Sequence, residues 1–344
     1  MTWLSPTSIL GINCTQRASE SEYLKLLAMQ HILVVGGNGF IGSAICKAAL
    51  SRGMQVTSVS SSGRPYQTPK GHSPAWTSKV QWIKGDALHP DTFADILPEV
   101  NGVVHTLGTL LEDGEYKAAL RQGDVFKLFG SFLNGAMVGG ANPLKRPQGA
   151  QGTGRYEALN RDSALRVCEA FVANAPRASG PPRPFVYISA EDIFRPIIPA
   201  KYIETKREAE RGLELLLPRE SYRGVYVRPS LVYHAHYRPL TSPAAVLFDL
   251  SANLHAKAPL AFPTPSRVLR HLASAFPSSS ASLQSIANAM IIPPIHVDHV
   301  AAATCIALDQ PDVRGVVGVN EMRKLLEWPE QSSKHQAAGI HSFS

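Results

Sequence analysis

The stretch His31-Ile-Leu-Val-Val-Gly-Gly-Asn-Gly-Phe-Ile-Gly42 decides the reading of this chain. His31–Val35 is a short, β-branched apolar run that suits a strand buried on both faces. Phe40 to Arg52 then carries helical spacing. Between them, Gly36, Gly39 and Gly42 fit G-x-x-G-x-x-G. Gly36 permits the tight turn, Gly39 lets the backbone approach a pyrophosphate, and Gly42 lets helix and strand pack closely. The helix amino terminus presents N–H groups to phosphates. A strand before and a helix after are the context that gives such a motif weight. The alternative is a merely structural glycine turn. With Asn38, Phe40 and Ile41, these glycines form the expected dinucleotide-binding turn.

Working outward, further strands are expected at Gln55–Val59, Val80–Lys84, Gly102–Thr106, Pro184–Ile188 and Gly224–Arg228, with helices at Leu159–Ala173 and Ala200–Leu217. Pro199 stands where a helix tolerates it, at the start. Strands alternating with helices predict an α/β fold, a Rossmann-type doubly wound parallel sheet, with a small C-terminal helical lobe. The expected organisation is an N-terminal extension at 1–30, a cofactor domain at 31–240 with an insertion at 112–155, a lobe at 241–326, and a polar, disordered tail at 327–344.

The second strand runs into Ser60-Ser61-Ser62-Gly63-Arg64. An NAD site usually places a carboxylate here for the ribose hydroxyls, whereas hydroxyls and an arginine suit a 2′-phosphate. Ser61 and Arg64 therefore favour NADP(H), with NAD(H) open if Arg64 is an ordinary loop residue. Asp86 and Ala87 follow the third strand; Asp86 could accept from the adenine amino group or simply form a turn. Thr106, Leu107 and Gly108 end the fourth strand and border the ribose side.

Tyr202 and Lys206 stand one helical turn apart on one face. A free phenol titrates near 10, too high for efficient proton transfer at neutral pH, and a neighbouring cation lowers it. Such a pair can move a proton to or from a carbonyl or alcohol while hydride moves on nicotinamide. Lys206 can also hold the nicotinamide ribose. Ser189, at the end of the fifth strand, could orient the substrate oxygen. Alone, Y-x-x-x-K is as readily a solvated helix face.

Together, the glycine turn, Ser189 and Tyr202/Lys206 resemble the short-chain dehydrogenase/reductase superfamily, in its extended or atypical branch. Tyr156-x-x-x-Asn160, Arg228-Pro-Ser230 and His296-Val-Asp298-His-Val-Ala301 add to the resemblance, which covers residues 31–320. The segments Val104–Gly108, Tyr156–Ser163, Ile188–Ala190 and Pro199–Glu210 are similar to the fungal mitochondrial members associated with ubiquinone biosynthesis, relatives of the nucleotide-binding accessory subunit of respiratory complex I. The resemblance implies NAD(P)(H) binding, a mitochondrial location on the matrix side of the inner membrane, and attachment to the coenzyme Q biosynthetic complex, with an isoprenoid quinone or lipid as ligand. It does not supply the reaction. The strand end departs from the extended pattern, because Ala190 and Glu191 follow Ser189 where further hydroxyls are usual. The two functional readings are thus an NAD(P)-dependent oxidoreductase and a cofactor-binding scaffold or redox sensor with little turnover.

Composition narrows the remaining classes. In 344 residues, 44% are apolar and 18% charged, the balance of a globular protein. The net charge of +7 is spread without a run of five cations, so no nucleic-acid partner is expected. No 18-residue uncharged apolar stretch occurs, so membrane association is expected to be peripheral. Cys14, Cys46, Cys168 and Cys305 are widely spaced and fit a reducing compartment. Residues 1–30 contain Glu20 and Glu22, which weaken a mitochondrial presequence. His296-x-x-His299 and His234-x-His236 lack a completing ligand set, so no metal is expected. No G-x-S-x-G elbow supports a hydrolase. Val125–Met137 reads as a helix covering the cofactor cleft, or as a lid or interfacial segment meeting an isoprenoid substrate or membrane.

Overall fold

The computed structural model describes residues 30–109, 156–174, 181–195, 198–234, 241–259 and 262–327. The expected insertion at 112–155 with its aromatic stretch, the tail, His236, and the extension apart from residue 30 lie outside the described residues.

Seven parallel strands form the main sheet in the order β3-β2-β1-β4-β5-β6-β9. They are β1 (His31–Val35), β2 (Gln55–Ser60), β3 (Gln81–Lys84), β4 (Gly102–His105), β5 (Arg183–Ile188), β6 (Tyr222–Val227) and β9 (Gly315–Val317). All five residues of β1 are buried, as a strand covered on both faces requires. Alternation divides them between two cores. Ile32 and Val34 join Val104, Val186, Val225 and Val227 on one face. Leu33 and Val35 join Val103, Phe185, Tyr187 and Tyr226 on the other.

Helices α1 (Phe40–Ser51), α7 (Val297–Asp309) and α8 (Val319–Leu325) supply residues to the first core. The second is closed by α2 (Ser163–Ala173) and α3 (Ala200–Leu216). A π-helical turn, Glu157–Asp162, leads into α2, where the sequence pattern predicts regular helix from Leu159. Such turns are uncommon and recur near functional sites.

A short parallel pair, β7 (Val232–Tyr233) with β8 (Ile295–His296), brackets α4 (Thr241–Lys257), α5 (Pro265–Ala275) and α6 (Ser280–Ile291). These helices pack on one another through α6. The stretch expected as a lobe, 241–326, therefore divides. Its first half is helical; its second half returns to the sheet, where β9 pairs with β6 and α7 packs on α1. Buried Arg223 in β6 secures the return. Its guanidinium donates to the carbonyls of Ala307 (2.6 Å), Leu308 (2.6 Å) and Val313 (3.0 Å) around the end of α7. A cation at these carbonyls satisfies acceptors that the helix cannot.

Among the described residues no helix is long and apolar enough to cross a membrane. Cys46, Cys168 and Cys305 are buried free thiols, and burial pushes each above its ordinary titration range.

Met322 on α8 is fully buried in the first core. Met322→Ala should cost about 2–5 kcal/mol, read as a lower denaturant midpoint with an unchanged slope. A loss below about 1 kcal/mol would mean that α8 does not seal the sheet.

Candidate functional site

Every expected site residue lies just beyond, or on a helix beside, the carboxyl ends of β1 to β5, the edge where open parallel sheets bind ligands. At its centre is the glycine turn. Gly36 has φ of 90°, and a Cβ there would stand 2.7 Å from Thr106 Oγ1. Thr106 in turn donates to the carbonyl of Val35 through its amide (2.9 Å) and its hydroxyl (2.8 Å), tying β4 to β1. At Gly42 a Cβ would lie 2.3 Å from the Gly36 oxygen, so α1 can start this close to β1 only with glycine here.

Gly39 differs. Among the described residues a Cβ there would meet just the Gly36 oxygen, at 3.2 Å. Gly39 is also the residue before α1, where no side chain caps the helix and the first turn contains no acid. An uncapped helix end facing open space at a glycine fits a pyrophosphate. Asn38 fixes the turn laterally, donating to Ser60 Oγ (3.2 Å) and Ser62 Oγ (3.3 Å) beyond β2. Phe40 and Ile41 open α1. Ser61 and Arg64 are exposed, beside the Asn38-linked hydroxyls.

Asp86 is exposed and already partnered. Its carboxylate accepts from the Leu88 amide (2.9 Å) and lies 2.9 Å from His89 Nδ1, and these bonds hold it below the usual carboxylate range. The turn-forming reading of Asp86 thus has direct support. Ala87 is buried in the second core.

Lys206 is 2% exposed, and burial lowers it to about 7. Its ammonium donates to the carbonyls of Ile188 (2.9 Å) and Leu107 (3.2 Å) and lies 4.6 Å from the centre of the Tyr187 ring. It thereby bridges β4 and β5 at their carboxyl ends. Gly108 accommodates it, since a Cβ there would stand 2.8 Å from Nζ. Tyr202, one turn earlier on α3, is pushed up to about 12 by burial, with Arg207 opposing. The solvated-helix-face reading of the pair does not hold for Lys206. The expected lowering of the phenol by Lys206 is not found: burial raises it instead, and the cation that opposes the rise is Arg207.

Ser189 is 3% exposed and turned toward α3. Its hydroxyl donates to Glu210 Oε1 and accepts from Arg207 Nη1 at 3.1 Å. Glu210 is bound by Arg207 (2.9 Å) and by Arg228, whose Nε is 3.0 Å away and whose Nη2 makes a second contact. Arg207 also donates to the Ala190 carbonyl at 2.8 Å. The expected substrate-orienting serine is thus engaged in a buried ionic cluster. The reason is local: Glu210 and Arg207 stand i and i+3 on α3, and Arg228 follows the adjacent strand.

Asn160 was not among the expected site residues. It is fully buried, accepts from the Thr109 amide (2.9 Å), and donates to the Thr109 carbonyl (3.2 Å) and Thr205 Oγ1 (3.4 Å). Its own carbonyl accepts from the Tyr187 hydroxyl. It pins the strand end carrying Gly108 to α3. The signal for it was an asparagine inside an otherwise apolar helical period, a residue that cannot be buried unpaired.

His234, His296 and Asp298 offer ligand atoms within 4.8 Å of one another. His296 Nδ1 accepts from the Asp298 amide at 3.2 Å as the cap of α7. That bond holds His296 beside Asp298, and the His234 ring lies 5.0 Å from that of His296.

Comparison with known proteins speaks to the family and the fold. A model of the NAD dependent epimerase/dehydratase family matches residues 32–120. The chain is 32% identical over 299 residues to MIOREX complex component 2 of Saccharomyces cerevisiae, covering 85% of this chain and 98% of that one. It is 27% identical over 316 residues to an uncharacterized chloroplastic protein of Arabidopsis thaliana, with 91% and 83% covered. Among solved structures, a 3-oxoacyl-[acyl-carrier protein] reductase from Brucella melitensis superimposes with a TM-score of 0.50 at 14% identity, over 85% of this chain and 95% of that one. At that identity the likeness speaks for the fold.

The position of Lys206 sets a pH dependence. Its folded value, about 7, lies below its unfolded value. Between about 7 and 10.4 the unfolded chain holds a proton that the folded chain does not, so stability rises with pH. The slope from this group approaches about 1.4 kcal/mol per pH unit. Wild-type stability minus that of Lys206→Met should therefore rise from pH 7 to pH 10 in denaturant titrations. A flat difference would place the lysine in contact with water.

Proposed function

We propose that this chain, which belongs to the NAD-dependent epimerase/dehydratase family within the short-chain dehydrogenase/reductases, is an oxidoreductase that uses Tyr202 as its proton donor. The observation that carries the reading is the uncapped turn at Gly39, which stands on the same sheet edge as the strand ends bridged by Lys206. The bound nicotinamide would supply or accept hydride. The chain's own groups do the rest. Gly36–Gly42 receives the pyrophosphate at the start of α1, and Lys206 sets the spacing of β4 and β5. Tyr202 is protonated at neutral pH and would give its proton to a substrate carbonyl oxygen, against the raised value that burial imposes on the phenol. Arg207, the cation that opposes the raised value, would stabilise the phenolate left behind.

Exposed Ser61 and Arg64, and the absence of an acidic residue between Ser60 and Arg64, support NADP(H) over NAD(H). The yeast relative's name as a component of the MIOREX complex supports a place in a larger assembly. With the resemblance noted from sequence, we assign the protein to the mitochondrion, on the matrix side of the inner membrane. Its proposed partner is the coenzyme Q biosynthetic complex, and its substrate an apolar, quinone-related carbonyl compound.

A second reading, a cofactor-binding scaffold or redox sensor, draws support from the engagement of Ser189 by Glu210 and Arg207. Tyr202→Phe separates the two. On the enzyme reading, turnover measured as NADPH oxidation with quinone acceptors falls about 10²–10⁴-fold while NADPH affinity stays within about twofold. Full rescue of cells lacking the protein by this variant selects the scaffold. For the cofactor, Arg64→Ala should weaken NADPH about tenfold, or about 1.4 kcal/mol, and leave NADH unchanged. Equal affinity of the wild type for both cofactors would overturn the role of Arg64. Gly39→Val should abolish binding of either cofactor in the same fluorescence titration.

A further inference from the structure

Of the ten large apolar side chains exposed among the described residues, eight lie between Val246 and Phe276, in the helical unit that β7 and β8 bracket. We propose that this face of α4 and α5 is a docking surface for an anionic phospholipid membrane, on which the chain rests peripherally. The inference takes up the membrane-side location proposed above and does not rest on the reaction.

The two helices are inside out. An amphipathic helix of a globular protein ordinarily turns its large apolar residues to the core. On α4 the buried side chains among those described are Ala245 and Ala252, seven positions apart and so on one face. Ser251 beside them bonds to α6, its hydroxyl donating to the Met290 carbonyl at 3.1 Å. Val246, Leu250 and Leu254 recur every fourth position on the opposite face, with Leu247 next to them, and each is more than half exposed. The same arrangement recurs on α5. Its buried residues are Ser266 and Ala273, and Arg270 between them donates to Asn288 Oδ1 of α6 at 3.2 Å. Val268 and Leu272 are exposed on the other side, and Phe276 continues their spacing past the helix end. Ala252 and Ala256 of α4 line one cavity with Thr264 and Arg270 of α5, so the two helices adjoin. Small residues pack inward and large apolar ones face out, and an exposed apolar surface of this extent marks an interaction site.

Charge decides what covers it. No aspartate or glutamate occurs between Asp249 and Asp298, whereas Lys257 and Arg270 in that span are exposed. The one carboxylate of α4, Asp249, is paired with Arg323 at 3.4 Å. Apolar side chains rimmed by cations match the surface of an anionic bilayer, where the former enter the headgroup boundary and the latter meet lipid phosphates. Phe262 and Phe276, exposed at either end of α5, are of the type that such surfaces insert. A second copy fits less well, because a two-fold contact would set this cationic face against itself with no carboxylate from 250–297 to offset it. No described helix is long and apolar enough to cross a membrane, so these helices would lie on its surface.

The test is flotation of the full chain with vesicles of phosphatidylcholine alone, or of phosphatidylcholine mixed equally with phosphatidylglycerol. Capture is expected with the mixed vesicles, and about tenfold less or lower still with phosphatidylcholine alone. Leu250→Glu combined with Leu272→Glu should abolish it. Both positions are exposed, and an unchanged circular dichroism spectrum and melting midpoint check that the fold is kept. Lys257→Glu combined with Arg270→Glu is the second variant and should weaken capture about tenfold or more. Leu215→Glu, at an exposed leucine of α3 outside this surface, should leave capture intact. No capture of the wild type, equal capture by both vesicle types, capture unchanged in either double variant, or capture lost in Leu215→Glu overturns the proposal. So does a wild-type dimer in sedimentation that is not captured and that the leucine double variant converts to monomer, which assigns the face to a second copy. None of these readouts involves NADPH or Tyr202, and location is read separately by cell fractionation, so this surface and the reading above can fail independently.

Discussion

A single methyl group at Gly42 would stand 2.3 Å from the carbonyl oxygen of Gly36. That contact limits how the first strand can hand over to the first helix, and the rest of the edge follows from it. Because α1 begins so close to β1, the end of α1 lies over the sheet's carboxyl edge. Because Gly36 is pressed against Thr106, β4 is locked beside β1 at the same height. The turn needs glycine at 36 and 42 for the protein's own packing. At 39, among the described residues, a Cβ would meet the Gly36 oxygen alone, at 3.2 Å.

A second level of organisation is ionic. Lys206 and Glu210 are both buried on α3, and each is satisfied differently. Lys206 is held by two carbonyls and a ring face, and burial lowers its affinity for a proton in spite of them. Glu210 is held by two guanidinium groups and a hydroxyl. Removing one partner of such a buried cluster leaves an uncompensated charge, an expensive state. The cluster therefore fixes the carboxyl ends of β5 and β6 against α3, with Ser189 as one of its ligands.

Much of this was legible in the chain itself. The six longer strands fall within two residues of their expected limits, because doubly covered strands are continuous apolar runs. The glycine turn was recognisable because its spacing has a geometric cause. Two features were not. β9 is the three residues Gly315–Val317, too short to show a period, and its partner β6 lies some ninety positions earlier, so 297–325 was assigned to the lobe. Ser189 was placed at the right strand end, but the direction of its hydroxyl depends on Glu210 and Arg207 from a helix that packs there only in the folded state. Asn160 falls between these cases, its type being informative and its partners, Thr109 and Thr205, visible only in three dimensions.

The return of the chain to the sheet also sets an order of assembly. On the face lined by Ile32, Val34, Val104, Val186 and Val225, much of the cover comes from α7 and α8, which follow the other described helices in the chain. Until residues beyond 297 leave the ribosome, that face has α1 but not the helices that complete its core. The nascent chain thus carries an apolar surface and an unpaired edge at β6, the condition in which partly folded chains aggregate. Contacts between α1 and α7 span some 250 residues, so ring closure is slow relative to local helix formation. Completion of this sheet therefore waits for the segment that carries α7, β9 and α8.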